Sequence, residues 1–104
     1  MPGARVLITG SMSDSPQAEP VNIYEFLSMM LESTTQIAWS KLGLQHDLAT
    51  GQIQPLDLEQ AKAAIDAADA LAKIVEPKLD DEDRRTIQNL IRDLRVNYVQ
   101  RSLV

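Results

Sequence analysis

The stretch from Asp57 to Pro77, DLEQAKAAIDAADALAKIVEP, constrains this chain more than any other. Leu58, Ala61, Ile65, Ala68, Ala72 and Val75 recur at three- and four-residue spacing, with Ala64 and Leu71 on the flank. That rhythm puts them on one stripe of an α-helix. Asp57 is placed to cap the helix, because its carboxylate can accept from amides that the first turn leaves without partners. Gln60, three residues on, completes a capping-box pattern. Pro77 ends the run, since the residue before a proline avoids helical backbone. The alanines raise helix propensity and allow a neighbouring helix to come close.

Two further helices flank this one. The first is expected from Asn22 to Leu42, with Asn22 as N-cap and Gly43 ending it in a left-handed conformation. Ile23, Phe26, Leu27, Met30, Leu31, Thr34, Ile37, Ala38, Lys41 and Leu42 share one face. The apolar arc spans roughly 160° once Tyr24 and Leu42 are counted, more than one neighbour covers. Trp39 and Met29 lie off its edges. The third helix is announced by DDEDRR. Asp80 is its cap, Asp81, Glu82 and Asp83 fill its first turn, and Arg92, Arg95 and Arg101 follow. Acids first and bases later suit the helix dipole. Its inner stripe is Ile87, Leu90, Ile91, Leu94 and Tyr98, with Arg95 at the margin. Arg85, Arg92, Val96 and Val99 fall on the opposite side.

The connections carry little regular structure. GLQHDLATGQIQPLD, residues 43–57, reads as a loop with a turn at ATGQ. The first twenty residues are rich in Gly, Pro and Ser and read as a flexible arm. Their RVLITGS resembles the opening strand and glycine loop of a dinucleotide-binding unit. That site also needs a helix N-terminus after a tight glycine turn, and SMSDSPQAEP follows instead. The fold class expected is therefore all-α: a three-helix protomer, helix–loop–helix–turn–helix, over 21–104 with a flexible arm at 1–20.

Chemistry is narrowed by what the 104 residues contain. With no cysteine there are no disulfides, thiolate zinc sites or thiol nucleophile. The net charge of −5 disfavours nucleic acid and anionic lipid. No window reaches the roughly 18 apolar residues of a membrane span, and a cytoplasmic protein is expected. His46 and Asp47, the best metal pair, are adjacent and diverge, where a site needs three or four convergent ligands. The Asp80–Asp83 run lacks the alternating oxygens and glycine of a calcium loop. No cofactor, metal or catalytic residue is assigned.

F(L)SMML…KLG in the first helix, TG in the loop, LEQAKAAID in the second helix and L…DLRVNYV in the third occur in order. In this the chain resembles the bacterial family known as domain of unknown function 1844, over about Val21 to Arg101. The resemblance implies a small all-α protein and brings no activity with it. Asp66 stands at the family's Ile-Asp position. Between the last two helices the family places Lys-Thr-x-Gly-Asn-Leu; here Ile74–Leu79 reads IVEPKL, and only Leu79 is kept.

Three functional classes follow from the residues. An association module would homodimerise through Phe26, Met29, Met30, Ile37, Trp39 and Leu42, because so small a helical core gains stability by burying a second copy. A nucleic-acid regulator would present Arg85, Arg92 and Arg95 on one open face of the third helix and bind less tightly as salt rises; Arg85, Arg92, Val96 and Val99 are also a secondary surface for a protein partner. A small enzyme would gather Asp66, Asp69, Tyr98 or His46 into a pocket. The first is expected, with an unknown protein as a further partner. Arg95 is then a strut, its guanidinium on Asp66 and Asp69 of the second helix.

Overall fold

A computed structural model describes residues 19–103. The arm expected at 1–20, apart from its last two residues, lies outside the described residues, as does RVLITGS. The rest is all-helical: α1 spans Ile23–Lys41, α2 Leu58–Val75 and α3 Asp81–Ser102, with a short 3-10 turn at Glu76–Lys78.

Each helix starts where a side chain can take its free amides. Asn22 Oδ1 accepts from Tyr24 and Glu25, Asp57 Oδ1 from Gln60, and Asp80 Oδ1 from Asp83. The capping box at α2 is modified. Gln60 Nε2 donates to the Asp57 carboxylate, while the Asp57 amide donates to the Lys41 carbonyl at 2.9 Å and ties the loop to the end of α1. At that end Gly43 has φ +77°. Leu44 N–H donates to Trp39 O and Gly43 N–H to Ser40 O, the paired bonds of a Schellman cap. Pro77 does not stop the chain abruptly. It sits inside the 3-10 turn, where its missing N–H costs nothing.

α1 and α2 pack closely along their length, α3 lies mainly on α2, and α1 and α3 stay further apart and meet through side chains in the core. The core forms two clusters along α2. Leu31, Ala68, Ala72, Val75 and Ile91 make one; Ala38, Leu42, Ala61, Ile65 and Leu94 make the other. Four of these ten residues are alanine, so the close approach that α2 invited is used, and the buried volume stays small. Two of the residues assigned to a partner surface belong here instead. Leu42, the C-cap of α1, is fully buried beside Ala61 and Leu94, because its helical backbone carries the Leu31–Ala38 stripe one turn further. Trp39 is half-buried and packs against the same cluster.

Candidate functional site

Two surfaces draw the polar and apolar residues of interest together. The first is the outer edge of the α2–α3 seam. Arg95 Nη1 donates to Asp66 Oδ1 and Nη2 to Asp69 Oδ2, each at 3.2 Å. The fork is thus split over two carboxylates one helical turn apart rather than closed on one. Lys62 Nζ lies 2.7 Å from Asp66, and Lys73 Nζ 3.6 Å from Asp69. The result is a chain of five charges, Lys62–Asp66–Arg95–Asp69–Lys73, running along the seam. Lys62 first, and Arg95 after it, hold the Asp66 carboxyl below its usual range. The Arg95 side chain keeps 45% of its surface, so water screens these contacts and each pair adds little to stability.

The other residues considered for chemistry do not join this cluster. Tyr98 packs on the inner cluster beside Leu94. His46 stands exposed on the connection between α1 and α2. Its neighbour Asp47 organises that loop: the carboxylate accepts from the amides of Ala49 and Thr50, and the Asp47 carbonyl from Gly51. Those amides, Thr50 foremost, pull the Asp47 carboxyl below its ordinary value. Among the described residues no group of three His, Asp or Glu is arranged to hold a metal. None of the described helices is long and apolar enough to cross a membrane.

The second surface is the outer face of α1, turned away from α2. Phe26, Met29, Met30 and Ile37 keep 48%, 65%, 42% and 40% of their surface. Phe26, Met29 and Met30 line a shallow apolar depression with Ser33 and Thr34, Ile37 stands one turn beyond it, and Glu25 flanks Phe26 where the chain enters the helix. A lone exposed apolar residue is ordinary, whereas a contiguous row of four on one helix is the pattern of a contact surface. α3 carries a matching feature. Gln88, Ile91, Arg92, Arg95, Val96, Val99 and Gln100 line an open groove of about 670 Å³. Arg85 is exposed one helical row away, in line with Arg92 and Val99.

Two further cations, Arg84 and Lys78, hold the turn between α2 and α3. Arg84 Nη2 donates to the carbonyls of Leu79 at 2.9 Å and Glu76 at 3.4 Å, and Nη1 to Asp81 at 2.7 Å. Lys78 Nζ lies 5.1 Å from the Tyr24 ring centre, linking the turn to the start of α1. A signal for Arg84 exists: it precedes Ile91 by two turns and so shares the inner side of α3. Nothing comparable marks Lys78. These contacts close the IVEPKL segment that departs from the Lys-Thr-x-Gly-Asn-Leu pattern.

Comparison with curated proteins and with solved structures gives no match. The family model described as Domain of unknown function (DUF1844) matches residues 23–100, from the first turn of α1 almost to the end of α3. The chain is therefore a member of the DUF1844 family.

Proposed function

We propose that this protein is a small, non-catalytic helical association module of the bacterial cytoplasm. It acts by homo-oligomerisation and by contact with other proteins. The observation that carries this reading is the outer face of α1. Phe26, Met29, Met30 and Ile37 form a row that no other described segment covers, on a chain whose core is four-tenths alanine. Burying apolar surface contributes about 25 cal/mol per Å². A protomer with few large core residues therefore gains proportionately more from a second copy than a larger domain does.

Two features weigh against the alternatives. Asp66 and Asp69, the carboxylates best placed for acid–base work, are engaged by Arg95 and flanking lysines at an open seam. A nucleic-acid face on α3 would lose Arg95 to the same pairing and keep Arg85 and Arg92, on a chain of net charge −5. Sedimentation velocity over a micromolar concentration range is the test. A mass above the 11.5 kDa protomer that falls on Met29→Lys substitution supports the module. A monomer at every concentration refutes self-association.

A further inference from the structure

We infer that the outer face of α1 meets the outer groove of α3 on a second copy, rather than a second α1. This inference rests on the association reading and names the occupant of its surface. Charge carries the argument. Glu25 and Glu32, seven residues apart, run along one edge of the α1 face on either side of Met29. Arg85 and Arg92, also seven residues apart, run along the α3 face and lead into Val99. Both pairs therefore repeat at about 10.5 Å along their helices. Among the described residues neither glutamate has an ion-pair partner, Arg85 has none, and Arg92 reaches only its neighbour Asp93 at 3.7 Å.

Shape agrees with charge. The α1 face presents bulky, unbranched or ring side chains, Phe26, Met29 and Met30. The α3 groove has a floor of short branched ones, Ile91, Val96 and Val99. From Phe26 to Ile37 and from Gln88 to Val99 the two faces are equally long, about 17 Å each. The like-on-like alternatives are poorer. An antiparallel twofold pairing of α1 with α1 sets the acidic edge against its own copy, and pairing α3 with α3 does the same to the arginines. Acid meeting base at matched spacing favours one running on the other.

Such a contact joins two different patches, so each copy keeps one of each kind free unless the arrangement closes. That property makes it testable by complementation. One copy carries Met29→Lys, which sets a cation against the arginine row. The other carries Val96→Asp, which sets a carboxylate against the glutamate row. Each variant alone should associate at least about tenfold more weakly than the unaltered chain, with helix content by circular dichroism unchanged. An equimolar mixture should recover a mixed species, seen by sedimentation or by pull-down of a tag on one copy. Association should also weaken as salt rises. If either variant loses helix content, Phe26→Ser with Val99→Ser repeats the comparison. Val96→Asp associating as tightly as the unaltered chain, with no mixed species, overturns the inference and leaves an α1–α1 dimer. An unaltered chain that is monomeric throughout overturns the association reading beneath it as well.

Discussion

The α1–α2 seam and the α2–α3 seam are closed by different means. Between α1 and α2, Ala38, Ala61, Ala68 and Ala72 bring the helices together around Leu31 and Leu42, and no ion pair crosses among the described residues. Between α2 and α3, the apolar contact is narrower, with Ile91 and Leu94 the buried residues of α3. Charge supplements it at two places: Arg84 clasps the turn and Arg95 spans the outer edge. A seam of closely packed small residues leaves little slack, so its shape goes far to set its register. A seam edged with arginines tolerates more, because exposed ion pairs add little and adjust easily.

Substitutions in the alanine-rich seam should therefore cost the most. Leu42→Ala should cost about 2–5 kcal/mol of folding stability in urea denaturation, since a fully buried leucine leaves a cavity. The same substitution would scarcely touch monomer stability if Leu42 lay on a partner surface. Ala68→Leu should cost about 1–3 kcal/mol by overpacking, and a cost below a few tenths would show that the seam is looser than its alanines suggest. Gly43→Ala, at the end of α1, should cost about 1 kcal/mol. A Cβ there meets only the Gln54 carbonyl at 3.7 Å, an ordinary contact, so the cost is that of the left-handed backbone.

The charged seam should respond less. Arg84→Ala removes a charged donor from two backbone carbonyls, but its side chain is 35% exposed, and about 1 kcal/mol is expected by thermal denaturation. Arg95→Ala should cost less than about 1 kcal/mol. A double-mutant cycle with Asp69→Asn measures the coupling, and raised salt should shrink it. A coupling several times larger would make the seam an architectural lock and erase the contrast between the two seams.

Acid provides the smallest and most distributed probe. Asp66 and Asp47 both have lowered pKa values in the fold. Each favours the folded state above the unfolded aspartate value of about 3.9, and that contribution is lost as pH falls through the lowered folded value. Melting temperature should thus hold from neutral pH down to about pH 4 and decline below it. Asp47→Asn with Asp66→Asn should flatten the acid limb of that profile.

Much of this was legible in the sequence. Asn22, Asp57 and Asp80 cap the three helices, and Gly43 terminates the first, because capping depends on groups within a few residues of one another. Ala61, Ile65, Ala68, Ala72 and Val75 are all buried, as their spacing requires. The pairing of Arg95 with Asp66 and Asp69 was accessible too, since all three fall at the margins of facing stripes. The misassignments share one cause. Leu42 and Trp39 sit at the last turn of α1, where the wheel says which way a side chain points but not what the following loop and helix bring over it. Arg84 and Lys78 were missed because their partners, backbone carbonyls and the Tyr24 ring, carry no signal in the pattern of charges.

The helices, their caps and the stripe each buries follow from neighbouring residues, because local hydrogen bonding and apolar period are properties of short segments. Which side of α1 remains uncovered is instead a matter of packing between helices. α1 has apolar side chains over more than one face, and α2 can cover one. Packing the Leu31–Ala38–Leu42 side against the alanines of α2 left Phe26, Met29, Met30 and Ile37 outside. That choice depends on how closely two distant helices approach, a quantity no single segment encodes.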